Sequence, residues 1–202
     1  PEVRGVLFDL LMAVMDSLSV WTEAAGGGGR GIEWRDAVTA RMMASSSYAP
    51  YEPLVAEAAA AIGLPIGAAD RLVRSWAEMV PWPDAAAISG VSIPYAFVTN
   101  CSGRLAEAAA RRSGLEPRFV LSAEEAGRYK PHPAVYREAC RRLGTDPAAT
   151  MFVAGSPYDA AGARAAGLRS TLVVRRPDHH ADDATIIVVA SLHDAVSAID
   201  PR

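Results

Sequence analysis

Six short apolar runs punctuate the chain, and between them the pattern relaxes to the three-to-four-residue spacing of helices. Residues 3–10 read Val-Arg-Gly-Val-Leu-Phe-Asp-Leu. A run this short and apolar, closing on an acid, predicts a parallel strand buried on both faces with Asp9 at its carboxyl end. Runs at 93–100, 150–155, 168–174 and 184–189 predict further strands, and 119–121 a short one. Helical spacing fills 102–113, 133–143, 157–166 and 191–199. Gly114, Gly144 and Gly167 stand as stops after the first three, and Ser191 as a cap before the fourth. Strands alternating with helices predict an α/β fold: a Rossmann-like three-layer core whose parallel sheet is covered on both faces.

Residues 16–83 break the alternation. Helical stretches near 18–25, 33–44, 53–62 and 68–80 occur with no strand among them. The expected organisation is a core of residues 1–15 and 84–202, with a helical cap of residues 16–83 inserted after the first strand. Gly26, Gly27, Gly28 and Gly29 predict a flexible turn. They lack the preceding strand and the following Lys-Ser/Thr of a phosphate loop. Tyr48, Tyr51, Trp76 and Trp82 are expected to pack the cap or its contact with the core.

With 202 residues, half of them apolar, the chain can bury a substantial core. A net charge of −3 and the lack of a basic run give no attraction for nucleic acid. Arg111 with Arg112, and Arg141 with Arg142, read as solvated helix faces. No apolar run approaches the ~20 residues of a membrane span. Pro1-Glu2-Val3-Arg4 leads straight into a strand pattern, so no signal peptide and a cytoplasmic location are expected. Cys101 and Cys140 offer neither a disulfide framework nor a zinc pattern and are expected as free thiols.

Ligands of open α/β sheets bind beyond the carboxyl ends of the strands. Asp9 ends the first strand there, Thr99-Asn100 the second, and Gly155-Ser156 with Asp159 follow a third. Lys130 sits in the loop Tyr129-Lys130-Pro131-His132-Pro133, just before a helix. Two acids, a lysine, a hydroxyl and an amide converging on one edge supply a carboxylate nucleophile with an ammonium partner.

Four segments carry a family resemblance. Phe8-Asp9, Val98-Thr99-Asn100, Tyr129 to Pro133, and Phe152-Val153-Ala154-Gly155-Ser156-Pro157-Tyr158-Asp159 fall in the order of the four motifs of the haloacid dehalogenase superfamily. The chain resembles most its L-2-haloacid dehalogenases. Phosphatase members usually carry a second aspartate two residues after the nucleophile, where Leu11 stands here, and a magnesium-holding acid where Gly155 stands. Trp34-Arg35 is similar to the dehalogenases' halide-contacting arginine region.

The resemblance implies covalent catalysis. Asp9 attacks the halogen-bearing carbon and water then cleaves the ester, turning a small 2-haloacid into a 2-hydroxy acid without metal. Lys130 would steady Asp9, and Asp159 would orient Lys130 or activate water. Thr99 and Asn100 would donate to the substrate carboxylate with Ser156 close by. Leu11 and Tyr158 would wall the apolar part, and Arg35 would draw out the halide. Tyr136 would either hydrogen-bond the acids or simply pack. No cofactor is expected, and the partner is a small anionic substrate, not nucleic acid or membrane. Dimers are common for this architecture, so a homodimer stands open.

The first motif departs from the family's Asp-x-Tyr-Gly-Thr-Leu. Met12 replaces a glycine of the tight turn, with a different backbone path expected, and Ala13 replaces a threonine hydroxyl. Ala154 and Ser156 replace a serine and an asparagine. Two alternatives therefore remain: a phosphatase of a small metabolite with Mg2+ on Asp9 and Asp159, and a non-catalytic binding protein. Among the other candidates, His179-His180 with Asp182-Asp183 is expected to form an exposed loop, His132 to face solvent, and Cys101 to pack at a helix start.

Overall fold

A computed structural model describes residues 2–199; residues 1 and 200–202, the outer ends of the expected core, lie outside the described residues. Along the chain run β1 (Gly5–Asp9), α1 (Ser17–Ala24), α2 (Arg30–Ala44), α3 (Tyr51–Ala61), α4 (Ala68–Ser75), β2 (Tyr95–Thr99), α5 (Gly103–Ser113), β3 (Val120–Ser122) and α6 (Ala123–Ala126). They are followed by α7 (Pro133–Leu143), β4 (Thr150–Ala154), α8 (Pro157–Ala165), β5 (Arg169–Val173), β6 (Ile187–Val189) and α9 (Leu192–Ile199). The strands form one six-stranded sheet in the order β3-β2-β1-β4-β5-β6, with every pairing parallel.

The alternation of strand side chains builds two cores. Val6, Phe8, Phe97, Met151 and Val153 face one layer of helices, which includes Leu105 of α5 and Leu192 of α9. Leu7, Val98, Phe152 and Leu172 face the other, which includes Val135 of α7 and Ala163 of α8. This is the α/β three-layer architecture read from the sequence. The chain direction reverses across the sheet between β1 and β4, and the crevice at such a reversal is where these sheets take ligands. Asp9 closes β1 there and α8 opens there after β4.

The helices between β1 and β2 follow the predicted order with local differences. The expected helix 68–80 is α-helical only to Ser75; Trp76–Glu78 tighten to a 3-10 turn. Pro81 follows, and a residue before proline is driven out of the helical region. The Val80 carbonyl instead accepts the Asp16 amide at 2.9 Å. Helix α3 begins at Tyr51, before Pro53, because the first helical turn needs no donor from proline. Strand β6 is shorter than the expected 184–189. Asp183 captures the Thr185 amide and hydroxyl at 2.8 and 2.6 Å and turns the chain before the strand can start.

These helices are tied together by aromatics. Trp21 of α1 packs edge-on to Trp34 of α2 at 4.8 Å, and the Trp34 indole donates to the Val55 carbonyl of α3 at 2.9 Å. Trp76 donates to Leu105 of α5 at 3.0 Å, and Trp82 to Met12 at 2.9 Å, so both anchor the segment to the sheet domain. Tyr48 stacks on Tyr129, whose hydroxyl donates to Ala49 at 2.6 Å. Gly26, Gly27 and Gly28 take positive φ in the turn between α1 and α2, a conformation open to glycine. Among the described residues, no helix is long and apolar enough to cross a membrane.

Candidate active site

The turn after β1 sets the site. Leu10–Val14 form one π-helical turn, wholly buried, with no positive φ. Such turns are rare and recur at functional sites. Met12, which stands where the family turn has glycine, is thus accommodated by a widened helical turn rather than by a left-handed residue. Trp82 holds the Met12 carbonyl, and Arg175 donates to the Ala13 carbonyl at 2.7 Å. Arg175 is itself fixed by a two-pronged pair with Asp84 at 2.8 and 3.0 Å and lies over the Trp82 ring. Gly155 closes the other side. A Cβ there would meet the Met12 carbonyl carbon, the Met12 Cβ and the Ala13 nitrogen at 2.4 Å.

Asp9, Lys130 and Asp159 meet in the crevice. The Lys130 ammonium donates to Asp9 Oδ1 at 2.9 Å, to Asp159 Oδ2 at 2.6 Å and to the Val98 carbonyl at 3.2 Å. Its side chain and that of Asp159 are each 1% exposed and that of Asp9 is 8% exposed, so the pairs act with little solvent screening. Tyr136 donates to Asp159 Oδ1 at 2.5 Å. Burial alone would push Lys130 down, but Asp159 and Asp9 outweigh it and hold the ammonium above the ordinary lysine value. Burial, reinforced by Asp9, pushes the Asp159 carboxyl up to about 6, against the pull of Lys130 and Tyr136. Asp9 Oδ2 accepts no hydrogen bond among the described residues. One carboxylate oxygen is thus held by Lys130 while the other has no partner among them.

Asp9 opens into a cavity of about 30 Å³, lined also by Leu11, Ser17, Trp21, Arg35, Val38, Thr39, Met42, Tyr51, Asn100 and Tyr158. The volume holds a water molecule or two. Arg35 forms no ion pair among the described residues; its carbonyl accepts the Thr39 hydroxyl at 2.9 Å. Burial pushes the Tyr158 phenol up to about 12 and Tyr51 well above the ordinary value. Both therefore remain protonated donors at neutral pH.

Of the residues singled out in the sequence, Asp9, Leu11, Arg35, Asn100 and Tyr158 line this cavity. Lys130, Asp159 and Tyr136 stand behind Asp9, and Tyr136 is bonded to the acid as well as packed. Two expected substrate donors are already committed. The buried Thr99 hydroxyl lies 3.6 Å from the Cys101 sulfur and does not reach the cavity. The Asn100 amide accepts from the Lys130 backbone amide at 2.7 Å and donates to its carbonyl at 2.9 Å. It holds the lysine loop in place. Ser156 is buried outside the cavity lining, its hydroxyl without a partner among the described residues. Both Asp159 oxygens are engaged, Oδ2 by Lys130 and Oδ1 by Tyr136, and Asp159 does not line the cavity.

Sequence reading missed Ser17, Trp21, Val38, Thr39 and Met42, and expected Tyr51 only to pack. A signal was present: Arg35, Val38, Thr39 and Met42 stand at i, i+3, i+4 and i+7, one face of α2. His179 corrects the expected exposed loop. It is half-buried, with Nδ1 unpartnered among the described residues, and burial and Arg176 lower its pKa. His180 and His132 are exposed, and His132 caps α7 by accepting from the Ala134 amide at 3.2 Å. Cys101 is buried, which pushes its thiol up to about 12 and keeps it unreactive.

The donors do not suit a divalent cation. Asp9 Oδ1 and both Asp159 oxygens are taken, and Gly155 cannot carry an acid without moving the π turn. Among the described residues, no group of three or more His, Cys, Asp or Glu side chains could hold a metal ion.

Comparison with known proteins gives a consistent picture. The family model described as haloacid dehalogenase-like hydrolase matches residues 5–167. The (S)-2-haloacid dehalogenase 4A of Burkholderia cepacia is 31% identical over 116 residues, 54% of this chain and 50% of that protein. The chain thus spans about half the length of the first curated relatives it matches. The (S)-2-haloacid dehalogenase of Pseudomonas sp. strain YL is 28% identical over 193 residues, 86% of this chain and 83% of that one. The crystal structure of the L-2-haloacid dehalogenase PA0810 superposes with a TM-score of 0.81 at 25% identity, covering 98% of this chain and 100% of that one.

Proposed function

This chain belongs to the haloacid dehalogenase-like hydrolases, and on that premise we propose that it hydrolyses a small 2-haloacid to a 2-hydroxy acid, with Asp9 as nucleophile and without metal. The observation that carries the reading is a cavity lined by both Asp9, whose Oδ2 accepts no hydrogen bond among the described residues, and Arg35, which forms no ion pair among them.

The sequence of bonds follows from this placement. Asp9 Oδ2 attacks the carbon bearing halogen; the C–O bond forms as the carbon–halogen bond breaks, and halide leaves toward Arg35. A planar cation beside the leaving group stabilises that departing charge. Water then adds to the Asp9 carbonyl carbon of the ester. The alkyl oxygen leaves with a proton as the 2-hydroxy acid, and the second proton is released to solvent. Lys130, held by Asp159 and the Asn100-fixed loop, keeps the Asp9 carboxylate aimed. Leu11, Trp21, Val38 and Tyr158 give the alkyl part an apolar surface.

Residues 16–83 act in this reading as a cap over the core. The cavity encloses room for little more than water, so α1 and α2 must part to admit substrate. The Arg176–Asp36 pair, 3.0 Å between the loop after β5 and α2, would break when they do.

Halide release from L-2-chloropropionate, compared between the wild type and Asp9→Asn, tests the proposal. The wild type releases halide and the variant does not, and excess chelator leaves the wild-type rate unchanged. Wild-type release no faster than the variant's would sink it, and a rate restored only by Mg2+ would favour a phosphatase-type site instead.

A further inference from the structure

A bound 2-haloacid carries a carboxylate that must find donors, and most polar groups near Asp9 are spent. Thr99 faces Cys101, Asn100 spends its oxygen and one of its two amide protons on Lys130, and the Thr39 hydroxyl donates to the Arg35 carbonyl. Leu11 and Ala13 place no hydroxyl in the first turn. Ser17 does line the cavity. It is the first residue of α1, 1% exposed, and its hydroxyl donates only to the Met12 thioether at 3.5 Å. Thioether sulfur is a weak acceptor, and a carboxylate oxygen is a far stronger one. A serine hydroxyl rotates about its C–O bond, so its proton can be redirected toward the cavity that Ser17 lines.

We propose that the Ser17 hydroxyl is a substrate-contacting group, exchanging its bond to Met12 Sδ for one to the carboxylate of the bound haloacid. The inference rests on the dehalogenase reading and names the carboxylate donor of that same cavity. Met12 acquires a role with it. The side chain that replaces the turn glycine parks the serine rotor in the empty site, so the hydroxyl is buried without being orphaned and is released at little cost. Tyr51, Tyr158 and the second amide proton of Asn100 are the rival donors, since both phenols are protonated and all three residues line the cavity.

The test compares the wild type, Ser17→Ala, Tyr51→Phe and Tyr158→Phe. Two readouts are used: halide release from L-2-chloropropionate, and calorimetric binding of propionate, which has the carboxylate but no leaving group. Ser17→Ala is expected to raise KM and the propionate Kd by about tenfold, the loss of one hydrogen bond to a charged group. Its kcat should move less, and its melting temperature should match the wild type because only a thioether contact is lost. Unchanged KM and unchanged propionate affinity in Ser17→Ala would overturn the proposal. So would an equal or larger effect confined to Tyr51→Phe or Tyr158→Phe. Should the wild type release no halide, the dehalogenase reading fails on its own. Propionate binding then decides Ser17: affinity weakened by Ser17→Ala supports the contact, and equal or undetectable binding overturns it.

Discussion

Lys130 and Asp159 stand 2.6 Å apart where water does not reach, and the same ammonium lies 2.9 Å from Asp9. One cation thus serves two buried carboxylates. Lys130→Met would leave both acids facing each other without compensation. The expected cost is about 3–5 kcal/mol of stability, read as a lower urea midpoint. Halide release should fall by about 10²–10³ with the loss of an electrostatic partner at the reacting group. A variant as stable and as active as the wild type would remove Lys130 from the mechanism.

Tyr136 sets the pH dependence. Asp159 must be ionised to hold Lys130, and burial pushes its carboxyl up to about 6. Turnover is therefore expected to fall as pH drops through that region. Tyr136 donates to Asp159 and pulls its pKa down, so Tyr136→Phe should shift the acid limb of the kcat profile to higher pH. Stability carries the opposite sign. The folded state binds a proton between the ordinary aspartate value and about 6 that the unfolded chain does not. This group's contribution therefore makes the protein more stable as pH falls through that window. An acid limb unmoved in Tyr136→Phe would dissociate Asp159 from the rate.

Arg35→Ala separates function from folding. The guanidinium has no ion pair among the described residues, so the melting temperature should stay within a degree or two, as usual where no packed or paired group is lost. Halide release should drop by about 10²-fold or more. Arg176→Ala makes the contrast: it removes the pair to Asp36 and should leave chemistry intact while changing KM through cap opening. Unchanged kinetics in Arg35→Ala would discard its role at the leaving group.

Gly155→Ala tests the contact between the fourth strand's end and the first turn. Its Cβ has backbone atoms at 2.4 Å and no flexible side-chain end to push aside. Overpacking of this kind is expected to cost about 3 kcal/mol or more, seen in thermal unfolding. A variant that melts with the wild type would mean that the π turn is free to move.

The parallel sheet and its helices were legible because buried strands are short apolar runs and the intervening helices end in glycine. Asp9, Lys130 and Asp159 were legible for a related reason: a strand end or the loop beside it fixes where a side chain goes with little help from the rest of the chain. Thr99 and Ser156 have the same kind of address, yet neither lines the cavity. One rotation about Cβ decides that, and local sequence does not encode it. Ser17, Trp21 and Met42 escaped notice because the face a helix presents depends on what it packs against. For α1 and α2 that is the Trp21–Trp34 contact, a pairing across a glycine turn. The early end of the α-helix at Ser75 was not legible either, since Pro81 restrains only Val80 and the tightening to a 3-10 turn begins at Trp76.

The close approach of Gly155 to Met12 also ties two distant stretches of sequence together. Any side chain at 155 meets the Met12 and Ala13 backbone at 2.4 Å, so an acid could stand there only if the chain left β1 along another path.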